Sequence, residues 1–232
     1  METQVYSTWL EIDLDAIRNN VLAVRNRTNT NVMAVIKANG YGHGALQVAR
    51  AATEAGATWC GVARMEEALT LRDQGITSEL MVLGYTPPAL IPDAIAQNIH
   101  VAVYDPQMAE AYLPFAKGAA GRLKVHVKVE TGMGRLGMVP RKAEEFLAAY
   151  HNNPYLDIDG IFTHFAKADE PDEDTTLVQL SRFITLLEDL RKGGLLPKTV
   201  HTGNSAAIIN FPQAYFDLVR PGIAIYGLNP SP

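Results

Sequence analysis

Short apolar runs alternate with amphipathic segments along most of the chain. A short run rich in β-branched and other apolar residues is typical of a strand. This pattern predicts eight strands, at residues 32–36, 59–62, 80–83, 100–103, 123–129, 156–162, 199–201 and 217–219. Between them, apolar residues recur three and four positions apart, which predicts helices at residues 45–55, 65–74, 106–117, 143–150 and 177–192.

The alternation of eight strands with helices favours a closed (β/α)8 barrel of the TIM type, and a length of 232 residues suits one such domain. An open doubly wound sheet uses the same local pattern, so the strand count alone leaves that architecture open. One more strand is predicted at residues 9–14, before a helix that starts at Asp15 and buries Ile17, Val21 and Val24. Because this strand lies outside the eight, it is expected to need another partner.

Composition and charge argue against several classes of partner. The chain is 47% hydrophobic and has a formal net charge of -5, with its basic residues scattered, so neither nucleic acid nor a membrane is predicted to bind. The single cysteine, Cys60, rules out an intramolecular disulfide and fits a reducing compartment. The first residues lack the pattern of a signal peptide, and no apolar stretch is long enough to span a bilayer. We therefore predict a cytoplasmic location.

Charged or reactive side chains follow five of the predicted strands. In a (β/α)8 barrel, active-site residues lie at the carboxyl ends of the strands and in the loops after them. The candidates, in chain order, are Lys37, Lys128, Arg135, His164, Asn204, Ser205, Arg220 and Gly222. We expect these residues to share one rim of the barrel.

Lys37 closes the apolar run of the first predicted strand. A lysine that is partly desolvated there has a lowered pKa, which favours the neutral amine that forms imines with aldehydes. The plain alternative is a structural lysine that extends its amine from the strand end to water. Position alone does not decide between the two.

The loops after the seventh and eighth strands have the features of a phosphate site. Residues 203–205 lead directly into a helix, and Gly222 with Ile223 permits close approach of the backbone. Barrels commonly bind phosphate at these two loops. Ser205 could equally serve as the N-cap of the helix. In a closed barrel these loops adjoin the first strand, so the lysine and the phosphate site together fit pyridoxal phosphate.

Arg220 ends the eighth predicted strand beside that site. A guanidinium keeps its protons, so facing a pyridine nitrogen it would leave that nitrogen largely unprotonated and weaken the ring as an electron sink. The alternative is a strand-end arginine that pairs with Asp217 or His164.

Two segments carry a resemblance to a known family. Residues 34–44, AVIKANGYGHG, resemble the cofactor-lysine signature of the alanine racemases. Residues 128–137, KVETGMGRLG, resemble a second signature of that family, with Glu130 where aspartate is usual. His164, Asn204 with Ser205, and residues 220–227 match further motifs in the family's order. The resemblance covers essentially the whole chain.

The resemblance implies a pyridoxal-phosphate-dependent isomerase that interconverts L-alanine and D-alanine, with an amino acid as its substrate and D-alanine for peptidoglycan as its product. Lys37 would hold the cofactor as a Schiff base and act as the base on the D-enantiomer. The implied cofactor-binding residues are Tyr41, Asn204, Ser205, Gly222 and Ile223, of which all but Asn204 hold the phosphate.

Four further roles follow from the same resemblance. Arg220 would face the pyridine nitrogen, with His164 bonded to it. Arg135 would lie near the phenolic oxygen of the cofactor and the substrate carboxylate. Lys128 would be carbamylated, which turns a cation into an anion that orients Arg135. The Glu130 substitution is conservative.

Members of the family continue into a β-rich second domain, which supplies a catalytic tyrosine to the partner subunit. Residues 1–232 are therefore predicted to be the cofactor-binding N-terminal barrel domain without the C-terminal β domain. Racemisation needs a base on each face of a planar intermediate, so we predict cofactor binding with little or no racemisation. The full-length protein is expected to be a homodimer, and the lost domain is expected to leave apolar surface exposed.

Other functions are weighed against this one. A metal-dependent barrel hydrolase could use His164 and His201, but the first strand ends in Lys37 rather than a His-x-His pair, so no metal is predicted. Residues 132–137 fit the dinucleotide fingerprint, but Pro140 delays the helix that this motif needs. A broader-specificity or serine racemase and a non-catalytic pyridoxal-phosphate barrel stay open as alternatives.

Overall fold

The computed structural model describes residues 8–170 and 174–230. Eight parallel strands pair in chain order and the last pairs with the first, which closes a barrel. The strands are β1 (Asn31–Val35), β2 (Trp59–Val62), β3 (Glu79–Val82), β4 (Ile99–Val103), β5 (Leu123–Lys128), β6 (Leu156–Phe162), β7 (Thr199–His201) and β8 (Leu218–Val219). The closing register sets Asn31 against Leu218 and Val32 against Val219. The predicted (β/α)8 barrel is confirmed, and the open sheet is excluded.

Helices surround the barrel. In the described residues they are α1 (Leu14–Thr28), α2 (Ala45–Glu54), α3 (Met65–Asp73), α4 (Ile91–Ala96), α5 (Pro106–Lys117), α6 (Pro140–Tyr150), α7 (Thr175–Lys192) and α8 (Ser205–Asn210), with short 3-10 segments at Pro88–Leu90, Pro212–Ala214 and Ile223–Tyr226. All five predicted helices are present. The sixth helix begins three residues before its predicted start because Pro140 occupies its first turn, where proline is favoured.

Most strands are rich in apolar residues because both of their faces are buried, although β5 and β6 carry charged residues or histidine at alternate positions. One face packs on the helices and forms the main core, which includes Val32, Ala34 and Val125. The other face fills the barrel interior with Met33, Trp59, Met81, Ala102, Phe162 and Leu218. This two-sided burial explains why strands such as β1 and β2 show no alternation of apolar and polar residues.

The predicted strand at residues 9–14 is wrong. Leu14 begins α1, whose first turn is capped by Asp13, since its carboxylate accepts a hydrogen bond of 2.9 Å from the Ala16 backbone N–H. The closed barrel has no free edge, so an additional strand would find no hydrogen-bonding partner. Trp9 and Leu10 are instead 59% and 84% exposed. The helix predicted after them is confirmed, and it buries Ile17, Val21 and Val24.

Across residues 8–170 and 174–230, no helix has the length and apolar character that crossing a membrane would require. The start of the chain, where no signal peptide is predicted, and the last two residues lie outside the described part.

Candidate active site

A cavity of about 440 Å³ opens at the carboxyl ends of the strands. Its lining includes all of the residues predicted for the site, namely Lys37, Tyr41, Lys128, Arg135, His164, Asn204, Ser205, Arg220, Gly222 and Ile223. They come from the loops or ends of five strands, and closure of the barrel brings them together. The expectation of one shared rim is thus confirmed in position.

A left-handed turn follows β1 and carries two of these residues. Between Lys37 and Tyr41, the residues Ala38, Asn39 and Gly40 have φ values of 52°, 53° and 62°, and Tyr41 has 52°. The turn is held by the Gly40 backbone N–H, which donates to the Ile36 carbonyl at 2.8 Å. Left-handed backbone is costly for residues with a Cβ, so this strain is stored beside the cavity.

The Lys37 amine lies 5.8 Å from the centroid of the Tyr41 ring. Among the hydrogen bonds and ion pairs of the described residues, none involves the Lys37 amine. A half-buried lysine without a carboxylate partner is available to a ligand in the cavity.

Ser205 organises the part of the cavity that the loops after β7 and β8 form. Its hydroxyl oxygen accepts hydrogen bonds from the backbone N–H groups of Gly222 at 2.9 Å and Ala224 at 3.3 Å. The reading of Ser205 as the N-cap of the helix is wrong. Asn204 caps α8, because its side-chain oxygen accepts from the Ala207 backbone N–H at 2.9 Å.

Glycine at position 222 leaves room for the Tyr41 hydroxyl in the same part of the cavity. A Cβ there would lie 2.9 Å from the Tyr41 hydroxyl oxygen, closer than such atoms approach in proteins. The Tyr41 ring also lies beside the ring of Tyr226, at 5.0 Å between centroids, and the Tyr226 hydroxyl donates to the Val35 carbonyl at 3.1 Å. The hydroxyls of Tyr41 and Ser205 and the backbone at Gly222 therefore face one recess.

Arg220 is buried and has no carboxylate partner among the described residues. Nη2 donates to the carbonyls of Thr163 at 2.8 Å and Thr202 at 3.0 Å, and Nη1 bonds to Nδ1 of His201 at 2.9 Å. Nε takes part in none of the described hydrogen bonds. Burial lowers the pKa of Arg220 to about 9, so the guanidinium still carries its charge at neutral pH.

The sequence analysis considered two partners for Arg220. Asp217 is not a partner, whereas His164 lies close to the guanidinium. The Asp217 carboxylate instead accepts from the Val200 backbone N–H at 2.8 Å. His164 has its Nδ1 3.5 Å from Nη2 of Arg220. Burial and then the charge of Arg220 lower the pKa of His164 to about 3, so its ring is neutral.

Lys128 ends β5 and is buried against the Phe162 ring, with its amine 5.7 Å from the ring centroid. Burial first, and then the charges of Arg135 and Arg220, lower the pKa of this lysine to about 8. A substantial fraction of the amine is therefore neutral at physiological pH.

Glu130 builds the loop that carries Arg135. Its carboxylate accepts hydrogen bonds from the backbone N–H groups of Gly132, of Gly134 at 2.9 Å and of Arg135 at 3.3 Å. The loop then folds back on β5, where the Met138 N–H donates to the Lys128 carbonyl at 2.9 Å. This is not the turn from strand to helix that dinucleotide binding requires.

The metal-hydrolase alternative loses its ligand pair. The Nδ1 atoms of both His164 and His201 face the Arg220 guanidinium, so the positive charge of Arg220 would repel a metal ion bound by these atoms. The sequence pattern did not predict that His201 is a partner of Arg220, nor that His126 and His100 continue from it in the barrel interior. Histidines inside otherwise apolar strands were the feature that could have indicated them.

Comparisons with known proteins agree with this geometry. The family model for the alanine racemase N-terminal domain matches residues 12–230. An alanine racemase of Desulforamulus reducens is 47% identical over 227 residues, which are 96% of this chain and 61% of that protein. Alanine racemase 2 of Bacillus subtilis is 44% identical, over 96% of this chain and 58% of its own length.

Solved structures give the same result. The alanine racemase of Clostridium difficile 630 in complex with cycloserine superposes with a TM-score of 0.94 at 35% identity, over 99% of this chain and 64% of that one. The alanine racemase of Bacillus anthracis with bound L-Ala-P gives a TM-score of 0.91 at 39% identity, over 99% of this chain and 60% of that one.

The chain thus spans between 58% and 61% of the length of these two curated relatives. The family model, in contrast, covers it almost from end to end. The motifs, the closed barrel and the cavity at its rim all agree with that match, and the chain belongs to the alanine racemase N-terminal domain family.

Proposed function

We propose that this chain is the cofactor-binding barrel domain of a pyridoxal-phosphate-dependent alanine racemase, an isomerase that interconverts L-alanine and D-alanine. The observation that carries the proposal is the Lys37 amine, which has no hydrogen-bond or ion-pair partner among the described residues, in a cavity that also presents Ser205, Gly222 and Tyr41. The names of the relatives support alanine as the substrate over serine or a broader range.

The donor set of the cavity fits pyridoxal phosphate. Two backbone N–H groups already point at the Ser205 oxygen, so the serine hydroxyl proton is left to donate to a phosphate oxygen. The recess that a Cβ at Gly222 would fill, the Tyr41 hydroxyl beside it and Ile223 complete the proposed phosphate site. Asn204 supports this corner through its cap on α8.

When bound, the cofactor supplies an electron-withdrawing ring that makes the Cα–H of an attached amino acid acidic. Lys37 is the residue that we propose to hold the cofactor, and its released amine is then placed to take a proton from one face of the substrate.

Arg220 is proposed to face the ring nitrogen of the cofactor through its free Nε–H. Because its other donors are fixed on Thr163, Thr202 and His201, it can only donate to that nitrogen and does not protonate it. By leaving that nitrogen without a proton, Arg220 would make the bound cofactor a weaker electron sink and would so discourage side reactions. His164 is proposed to steady the guanidinium as a neutral neighbour.

Arg135 is proposed to bind the substrate carboxylate, since the loop built by Glu130 holds it at the cavity. Lys128 is proposed to be carbamylated, because the neutral amine is the form that adds carbon dioxide and burial favours that form. The product is an anion that would offset the repulsion between Lys128 and Arg135 and orient the guanidinium.

Domain, assembly and location are part of the same proposal. We propose that residues 1–232 supply cofactor binding and a base on one face only, and that the longer protein acts as a homodimer whose other domain completes the site. Its product would be D-alanine for peptidoglycan. The lone cysteine, Cys60, is buried and unpaired, which suits the cytoplasm.

The test is proton exchange in deuterated water with the cofactor-loaded chain. If Lys37 is the base on the face of the D-enantiomer, D-alanine will exchange its Cα proton with retention of configuration, while L-alanine forms slowly or not at all. Lys37→Ala should abolish the exchange, and Lys124→Ala, at a half-buried position near the end of β5 that lies away from the cavity, should leave it unchanged. Exchange in Lys37→Ala, or equal exchange of both enantiomers, would contradict the proposal.

A further inference from the structure

Three buried histidines cross the barrel interior from the candidate site towards its opposite end. Nη1 of Arg220 bonds to Nδ1 of His201 at 2.9 Å, and Nε2 of His201 bonds to Nδ1 of His126 at 2.8 Å. Nε2 of His126 bonds to Nδ1 of His100 at 3.1 Å, and Nε2 of His100 bonds to the Glu79 carboxylate at 3.1 Å. We call these five residues the histidine relay.

The protons of the histidine relay can point in one direction only. Arg220 has donors and no acceptor, so Nδ1 of His201 must accept and its proton must sit on Nε2. That proton is donated to Nδ1 of His126, which therefore also carries its proton on Nε2. The same step repeats at His100, whose Nε2–H ends on the carboxylate of Glu79.

All three rings are neutral in this arrangement. Burial is the first cause that lowers the pKa of each, to about 2 for His100 and well below the ordinary value for His201. The pKa of His126 is lowered by burial as well. Every link then has one donor and one acceptor, which meets the requirement that buried polar groups be paired.

The barrel is shaped around these rings. A Cβ at Gly160 would overlap the ring of His126, and Phe162 stacks on His201 with centroids 4.7 Å apart and planes 8° apart. The rings of Trp59 and His100 pack edge to face, with their centroids 4.6 Å apart. Barrel interiors are ordinarily filled by branched apolar side chains, so three histidines here are not needed for packing alone.

A metal ion is the competing explanation for part of this cluster. Oδ2 of Asp159 lies 3.6 Å from Nδ1 of His100 and 3.7 Å from Nε2 of His126, and these three atoms form a group of suitable size. However, Nδ1 of His100 and Nε2 of His126 are already joined by a hydrogen bond of the relay. The Lys198 amine also forms an ion pair with the Asp159 carboxylate at 2.5 Å. The observations therefore favour the proton arrangement.

We propose that Glu79, His100, His126 and His201 are positioning residues that act through Arg220. The half-exposed Glu79 accepts the last proton of the relay at the far end of the barrel and so matches the direction that Arg220 requires. A carboxylate accepts the last proton, so every ring offers Nδ1 towards Arg220 and its guanidinium stays turned with Nε–H free. The relay itself is a property of the chain without cofactor, and only its effect on cofactor affinity rests on the proposed function.

Nitrogen NMR of the histidine-labelled chain without cofactor tests the direction. The wild-type rings of His100, His126 and His201 should all be neutral with the proton on Nε2. Glu79→Lys puts a donor where the relay needs an acceptor, so the proton of His100 should move to Nδ1. Glu79→Gln retains an acceptor and should restore the wild-type pattern, and Glu110→Lys, the same charge change at an exposed position of α5, should not alter it.

Cofactor affinity tests the effect on Arg220. Glu79→Lys should weaken binding of pyridoxal phosphate by about tenfold, as for one misaligned hydrogen bond to a charged group, and Glu79→Gln should rescue it. A wild-type ring with its proton on Nδ1, or a stoichiometric transition metal in purified protein, would overturn the relay. Equal affinity of folded Glu79→Lys and Glu110→Lys proteins would overturn the positioning role. A wild-type chain that binds no cofactor would contradict the proposed function instead, and the NMR result would stand separately.

Discussion

The candidate site is a group of cations that lack carboxylate partners among the described residues. Lys37, Lys128 and Arg220 all line the cavity, and only Arg220 is satisfied by neutral protein acceptors. The cavity lining carries four cationic side chains, Arg135 included, and one carboxylate, Asp169, and such an excess of positive charge raises the local concentration of anions. The same charge lowers the folding stability of the chain without cofactor, because burying a cation away from water is energetically unfavourable. Individual residues therefore favour binding of a phosphorylated ligand at the expense of stability.

Lys128→Met should stabilise the chain without cofactor. The pKa of Lys128 is about 8 when folded and about 10.4 when unfolded, so the folded chain binds fewer protons between these pH values and stability rises with pH there. Below that window the full penalty is present. Urea unfolding in carbon-dioxide-free buffer at neutral pH should give a free energy of unfolding higher by roughly 2 kcal/mol for Lys128→Met.

The advantage of Lys128→Met should shrink as the pH is raised through the same window. Lys124→Met on the same strand, where the side chain is only half-buried, serves as the control and should change stability much less. A gain that does not depend on pH, or an equal gain in both variants, would mean that the buried charge of Lys128 is not the cause.

Gly222→Ala should weaken cofactor binding more than it weakens the fold. The new Cβ would displace the Tyr41 hydroxyl, which is the far end of a side chain and moves at little cost to the core. Loss of that donor and of the recess should raise the dissociation constant of pyridoxal phosphate by about tenfold, with melting nearly unchanged. Gly118→Ala, whose Cβ would meet no atom closer than 3.8 Å, is the matched control. Unchanged affinity in Gly222→Ala would place the phosphate elsewhere.

Single residues were predicted well where their chemistry follows from position in the chain, and less well where it depends on a neighbour. Lys37 and Arg220 end strands, and this alone brings them to the rim. Asn204 rather than Ser205 caps α8, since the Ser205 hydroxyl oxygen accepts a hydrogen bond from the backbone N–H of Gly222 in another loop. Such a contact joins residues 17 positions apart and leaves no mark in the local sequence.

At the scale of elements, the left-handed turn after β1 is the least expected feature. Its residues are ordinary enough to have been read as a simple loop, and only the glycines at 40, 42 and 44 suggest positive φ. The turn has a clear use, because it bends the chain away at once and leaves both Lys37 and Tyr41 at the cavity.

Ala38→Gly should stabilise the chain, although glycine usually destabilises. Ala38 is exposed and has a φ of 52°, where an L-residue is strained by about 1–2 kcal/mol and glycine is not. The entropy of the unfolded glycine chain offsets part of this gain, so about 1 kcal/mol should remain in urea unfolding. Ala111→Gly, at an exposed position within α5, should instead lose about 1 kcal/mol. Destabilisation by both changes would show that the turn is not strained.

The pattern of apolar residues predicted the strands and the long helices because burial makes the strands short runs rich in β-branched and apolar residues and gives the helices an apolar face. It failed at residues 9–14, where Trp9 and Leu10 resemble a strand but meet no free sheet edge. It also did not predict α4, since this helix has only six residues and its apolar face is too short to show a period.

At the scale of the whole molecule, closure of the barrel makes the site. The β1–β8 pairing turns residues that are 183 positions apart, Lys37 and Arg220, into walls of one cavity. Closure also creates an interior, and the histidine relay inside it escaped prediction because strand sequences do not reveal which buried histidines will meet. The barrel, the rim and the order of motifs were therefore predictable, whereas the polar interior was not.

The central claim is that the Lys37 amine holds pyridoxal phosphate, and borohydride reduction followed by peptide mapping tests it directly. The reduced chain should carry the pyridoxyl group on the peptide that contains Lys37, at about one group per chain, and Lys37→Ala should carry none. Attachment at another lysine of the wild-type chain, or undiminished labelling of Lys37→Ala, would contradict the account.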